Sequence, residues 1–152
     1  MTATSVSLTI PIAKDLLTGA EWGPAETRDL LERTADIKAR PARYASVLRN
    51  KHIALIFEKP SLRTRVTFEV GIQSMGGFVV FLDHTQARLG ERESIPDVAR
   101  NLEQWVQGIV ARVYEQRVLE EMAATITIPV VNALSDKFHP CQALADFFTL
   151  EE

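Results

Sequence analysis

Apolar runs alternate with polar, helix-like stretches along most of the chain. His52–Phe57 is a short continuous apolar run, the pattern of a strand covered on both faces. Phe78–Leu82, Gly108–Val113 and Pro129–Asn132 repeat it. Between these runs the apolar residues take helical spacing. Leu30, Leu31, Ala35 and Ile37 predict a helix that follows a turn at Glu21–Glu26 and ends before Pro41. Val66, Phe68, Val70, Ile72 and Met75 predict one over 62–75, stopped by Gly76-Gly77. Ser94 is a cap for a helix over 95–105, with Asp97 in its first turn. Shorter helices are expected over 118–124 and 143–150. Asp83–Glu93 reads as a polar loop.

Strands that alternate with helices specify an α/β fold. The expectation is three layers, with a parallel sheet of about four strands and helices on both faces. Residues 1–20 read as an N-terminal tail without the pattern of a secretory signal, and 21–152 as one domain. In such sheets ligands bind beyond the carboxyl ends of the strands. Three polar groupings fall there: Ser61–Arg65 after the first strand, Arg112 at the end of the third, and His139–Gln142 after the fourth.

Composition narrows the function. The chain has 152 residues, 46% apolar and 24% charged, with a formal charge of −3. That size allows a real core, and the charge argues against a general nucleic-acid binder. No stretch approaches a membrane span of roughly 20 apolar residues. Cys141 is the single cysteine, so no internal disulfide forms, and a reducing, cytoplasmic setting fits. The histidines and the cysteine lack metal-ligand spacing, so no metal is expected.

The first grouping, "PSLRTR", has the chemistry of a phosphate cradle. A helix N-terminus offers unpaired N–H groups and a partial positive charge. Ser61 and Thr64 add hydroxyls, and Arg63 adds a guanidinium suited to phosphate oxygens. Neither a Walker A loop nor a dinucleotide fingerprint is present. A capped helix whose arginines pair with surface carboxylates is the competing reading. Arg65 is assigned to an ion pair with Glu69, one turn on. His139 can donate to a carbonyl oxygen, and Gln142 can accept from an NH2 group. His52, His84 and Cys141 are read as structural.

"FEKPSLRTRVTFE" resembles the Ser-Thr-Arg-Thr-Arg signature of the aspartate and ornithine carbamoyltransferases. "ARVY" at 111–114 and "NALSDKFHPCQALADFFTL" at 132–150 resemble the ornithine branch in particular. The resemblance implies a carbamoyl-phosphate-binding domain. It puts phosphate on Ser61, Leu62, Arg63 and Thr64, with Arg112 reaching phosphate and the carbamoyl oxygen. It puts the carbonyl oxygen on His139 and the amide nitrogen on Gln142. Leu62 departs from the signature, keeping a backbone N–H but lacking a hydroxyl. The family completes each site with a residue from a neighbouring subunit, at a position that is Arg88 here, which implies a homotrimer.

The implied reaction moves a carbamoyl group to the side-chain amine of ornithine, with Arg63, Thr64, Arg112 and His139 as catalytic residues and no cofactor. The family's amino-acid-binding second domain is expected to lie outside these 152 residues, which by themselves are expected to be inactive. Acetylornithine, putrescine and aspartate are the other acceptors weighed. A non-catalytic phosphate-binding module and an oligomerisation domain are the readings from other classes.

Overall fold

The computed structural model describes residues 13–152. The apolar run His52–Phe57 forms β1, and Phe78–Asp83, Gly108–Arg112 and Val130–Leu134 form β2, β3 and β4. All pairings are parallel, in the order β2-β1-β3-β4. The helices are α1 (Pro24–Ala39), α2 (Leu62–Ser74), α3 (Ile95–Glu103), α4 (Gln116–Thr125) and α5 (Pro140–Glu151). The expected class, α/β with a four-stranded parallel sheet, is therefore the observed one.

Side-chain alternation in β1 divides the core. Ala54 and Ile56 face one cluster with Ile95, Ala99, Leu102, Leu119 and Met122 from α3 and α4. Leu55 and Phe57 face the other, with Ile72 and Phe68 of α2. Burying a side chain of this size stabilises the fold by about 1.5–3 kcal/mol. Because α2 lies on one face and α3 and α4 on the other, the chain reverses direction across the sheet between β1 and β3. That is the crevice where open parallel sheets hold ligands. The register places Phe57, Asp83 and Arg112 on one row at the strand ends. A register shift between Ala111 and Arg112 pairs Arg112 with Leu134.

Several boundaries differ from expectation for local reasons. Helix α4 begins at Gln116, two residues early, because Asp136 from a distant loop accepts from the Gln116 N–H at 2.8 Å. Helix α5 begins at Pro140, where proline suits the first helical position. Ser94 caps α3 as expected, accepting from Asp97 N.

The segment expected as a tail through residue 20 is attached well before that point. Leu16 is buried and bridges Val131 in parallel, donating to Val130 O at 2.9 Å and accepting from Asn132 N at 2.8 Å. Lys14 donates to Ala123 O and Ile126 O at the end of α4, where the helix dipole favours a cation. The Glu21 carboxylate accepts from the N–H groups of Leu17, Thr18 and Gly19. The remainder of the expected tail, 1–12, lies outside the described residues.

Candidate functional site

Ser61 stands at the N-cap of α2 with extended backbone. Its hydroxyl makes no capping hydrogen bond. The first backbone bond of the helix runs from Arg65 N to Ser61 O, at 3.3 Å. Among the described residues, the N–H groups of Leu62, Arg63 and Thr64 therefore have no acceptor. Three converging donors with no carboxylate in the first turn suit an anion. The Leu62 side chain is 80% exposed, which is consistent with a position used for its backbone. Arg63 is exposed and enters no ion pair of the described residues.

Across the crevice, Arg112 donates from Nη1 to Thr64 Oγ1 at 3.4 Å. This weak contact joins the end of β3 to the first turn of α2. Arg112 Nε is buried and has no partner. A buried unpaired guanidinium donor is costly, and an acceptor placed at this position would relieve that cost. His139 is the N-cap of α5 and is half-buried, with Nδ1 also buried and unpaired. Burial, and then the nearby Arg112 charge, hold the imidazole below its ordinary value of 6.5, so the ring is neutral at pH 7. Two orphaned polar groups, a cationic guanidinium and a neutral imidazole, thus belong to the same edge of the sheet.

The other expected residues are more dispersed. Gln142 is exposed and donates from Nε2 to Asp146 Oδ1 at 2.8 Å, within its own helix. Arg88 stacks on the Tyr114 ring at 4.1 Å, and Lys59 lies over the same ring at 4.5 Å. Arg88 also lines a hollow of about 500 Å³ with His84, Arg92 and Val98. Arg65 turns away from the crevice onto the Phe81 ring, at 3.6 Å, and pairs with Glu69 at 3.5 Å as expected. His52 stacks on Phe78, and His84 Nδ1 lies 3.1 Å from Ala87 O. Among the described residues, no three His, Cys, Asp or Glu side chains are arranged to hold a metal ion, and no helix is long and apolar enough to cross a membrane.

The family model described as aspartate/ornithine carbamoyltransferase, carbamoyl-P binding domain, matches residues 14–152. The chain belongs to the aspartate/ornithine carbamoyltransferase family. The ornithine carbamoyltransferase of Shewanella oneidensis is 48% identical over 139 residues, which are 91% of this chain and 46% of that protein. The crystal structure of ornithine carbamoyltransferase from Thermus thermophilus superposes with a TM-score of 0.84 at 49% identity, covering 94% of this chain and 49% of that one. A crystal structure of an N-acetyl-L-ornithine transcarbamylase mutant matches at 32% identity and a TM-score of 0.82, covering 91% of this chain and 47% of that one. The chain spans about half the length of the carbamoyltransferases it matches.

Two residues inside the quoted motifs were given no role of their own from the sequence. Glu58 and Tyr114 flank the crevice, but a lone glutamate and a lone tyrosine carry no spacing signal. Cys141 donates weakly to Asn132 O, and burial pushes its thiol up to about 11, which fits packing and not nucleophilic chemistry.

The histidine shift has a consequence for stability. A folded value below the unfolded 6.5 means that the unfolded chain binds the proton first as pH falls. The stability contributed by neutral His139 is present above about pH 6.5 and is lost as pH falls through the folded value. His139→Gln is expected to flatten the decline in urea midpoint between pH 7 and about pH 5. An unchanged pH profile would show that His139 titrates alike in both states.

Proposed function

We propose that the crevice between β1 and β3 holds carbamoyl phosphate, and that the chain is the carbamoyl-phosphate-binding part of an ornithine carbamoyltransferase. The observation that carries this reading is the Arg112–Thr64 contact beside an orphaned Arg112 Nε. It unites two of the motifs on one anion-ready edge. Phosphate oxygens would accept from the N–H groups of Leu62, Arg63 and Thr64, from the Ser61 hydroxyl and from Arg63. Arg112 would span phosphate and the carbamoyl oxygen. Neutral His139 would donate to that same oxygen, and Gln142 Oε1 would accept from the carbamoyl NH2.

The reaction follows from these placements. The neutral side-chain amine of the acceptor attacks the carbamoyl carbon and forms a C–N bond. Negative charge builds on the carbonyl oxygen, where Arg112, Thr64 and His139 stabilise it. The C–O bond to phosphate then breaks, the attacking nitrogen passes one proton to the departing phosphate, and hydrogen phosphate leaves with its charge held at α2. Most of the acceleration is positioning and electrostatics. Burial, which lowers the His139 pKa, keeps its imidazole neutral at pH 7.

Ornithine is the acceptor favoured by the relatives' names, and it would be bound by a part of the enzyme beyond these residues. The N-acetyl-L-ornithine transcarbamylase similarity supports acetylornithine as the second reading. A homotrimer in which Arg88 serves a neighbouring subunit belongs to the same proposal. It requires Arg88 to leave or share its stack on Tyr114. A cytoplasmic setting is supported by the single, half-buried cysteine.

Product analysis decides the acceptor. The enzyme carrying this chain together with its acceptor-binding part is given carbamoyl phosphate with ornithine, acetylornithine, putrescine or aspartate. Citrulline from ornithine, with the other amines unreacted, is the expected result. Turnover of another amine in preference to ornithine would move the enzyme to a different branch.

A further inference from the structure

Glu58 has no part in the reaction as proposed, yet its side chain is the most constrained carboxylate at the crevice. It follows the last residue of β1 and is 2% exposed. Among the described residues it belongs to no ion pair. Backbone N–H groups satisfy it instead. Oε1 accepts from Leu89 N at 2.8 Å and Oε2 from Tyr114 N at 2.7 Å. The Glu58 N–H in turn donates to Arg112 O at 2.9 Å.

These three bonds tie together three separate segments. One is the turn from Glu58 to the α2 N-terminus. The second carries Arg88 next to Leu89. The third runs from Arg112 to Tyr114, and the Tyr114 ring holds Lys59 and Arg88. Each segment bears a cation or donor of the proposed site; Leu89 and Val113 already anchor two of them in the core, and the Glu58 carboxylate fixes how the three strand-end segments sit relative to one another. We propose that Glu58 is a positioning residue, which sets the separation of the α2 N-terminus, Arg112 and the Arg88 loop without touching the ligand. The inference rests on the carbamoyl-phosphate reading of the crevice.

Chemistry explains why a carboxylate is used. Two N–H donors converge on one side chain and need two acceptor oxygens. A glutamine would offer one oxygen and turn its NH2 against the second donor, leaving a buried N–H unpaired. The charge itself works in the opposite direction, since a buried negative group near an anion site repels the ligand. The two roles therefore predict opposite signs. If only charge mattered, Glu58→Gln would tighten anion binding. If placement matters, it weakens binding.

The test is titration of carbamoyl phosphate into the 152-residue chain and its variants, with amide hydrogen exchange in the absence of ligand. Glu58→Gln is expected to weaken binding by about tenfold or more and to speed exchange at Leu89 and Tyr114, while Leu119 in the core stays protected. Glu58→Asp keeps the charge but shortens the reach, so it is expected to weaken binding as well. It also serves if Glu58→Gln does not fold. Unchanged or tighter binding in either folded variant, beside an unaltered chain that binds, would overturn the positioning role alone. Unaltered exchange at Leu89 and Tyr114 in both variants would overturn it without reference to ligand. Failure of the unaltered chain to bind carbamoyl phosphate would contradict the proposed function and remove this inference with it.

Discussion

Arg112→Ala is expected to lower carbamoyl-phosphate affinity by about a hundredfold or more, roughly 3 kcal/mol at 1.4 kcal/mol per factor of ten. The expectation comes from what the side chain leaves undone in the free protein. Its Nη1 makes only a 3.4 Å contact to Thr64, and its Nε is buried with no partner. Ligand oxygens would then receive charge-assisted hydrogen bonds from a group already desolvated and held at the strand end. Truncating one partner of such a pair typically costs 2–5 kcal/mol or more. Arg63 is exposed, so screening by solvent reduces its share, and Arg63→Ala is expected to cost between about tenfold and a hundredfold. Ligand-observed NMR competition with inorganic phosphate would rank the two. An Arg112→Ala chain that is folded and binds like the unaltered one would remove the β3 end from the site.

The largest effect on stability is expected at Gly76. Its φ is +82°, a left-handed conformation that L side chains adopt at a cost of about 1–2 kcal/mol. A Cβ there would also lie 2.8 Å from Ala45 O, a backbone atom that cannot swing aside. Overpacking of this kind adds about 1–3 kcal/mol. Gly76→Ala should therefore cost on the order of 2–5 kcal/mol. At about 2–4 °C per kcal/mol for a chain of this size, the melting temperature would fall by roughly 4–20 °C. Gly71 is the internal comparison. It lies within α2, and a Cβ there meets nothing within 4 Å. Gly71→Ala should raise stability by about 0.5–1 kcal/mol, because alanine is the better helix former. Thermal unfolding of both variants reads the contrast, and an unchanged melting temperature for Gly76→Ala would show that the turn at 75–77 relaxes freely.

The parallel sheet could be read from the chain because its signals are local. Each strand is a short apolar run, and α2 is bounded by a proline-containing turn and the Gly76-Gly77 stop. The strand-end position of Ser61–Thr64, Arg112 and His139 followed from the same alternation. What escaped depends on distant partners. The start of α4 is set by Asp136, twenty residues away. Attachment of residues 14–16 depends on carbonyl and amide groups at the end of α4 and along β4. Glu58 is buried because two backbone N–H groups, from chain segments 31 and 56 residues away, converge on it. Nothing in "FEKP" shows that convergence.

Calorimetric titration of carbamoyl phosphate into the 152-residue chain tests whether the β1/β3 crevice is a phosphate site. Saturable binding at one ligand per chain, weakened at least about tenfold by Arg63→Ala in a protein that is still folded, is the predicted result. Equal binding by the unaltered and Arg63→Ala chains, or none by a folded unaltered chain, would contradict the assignment of the α2 N-terminus as the phosphate cradle.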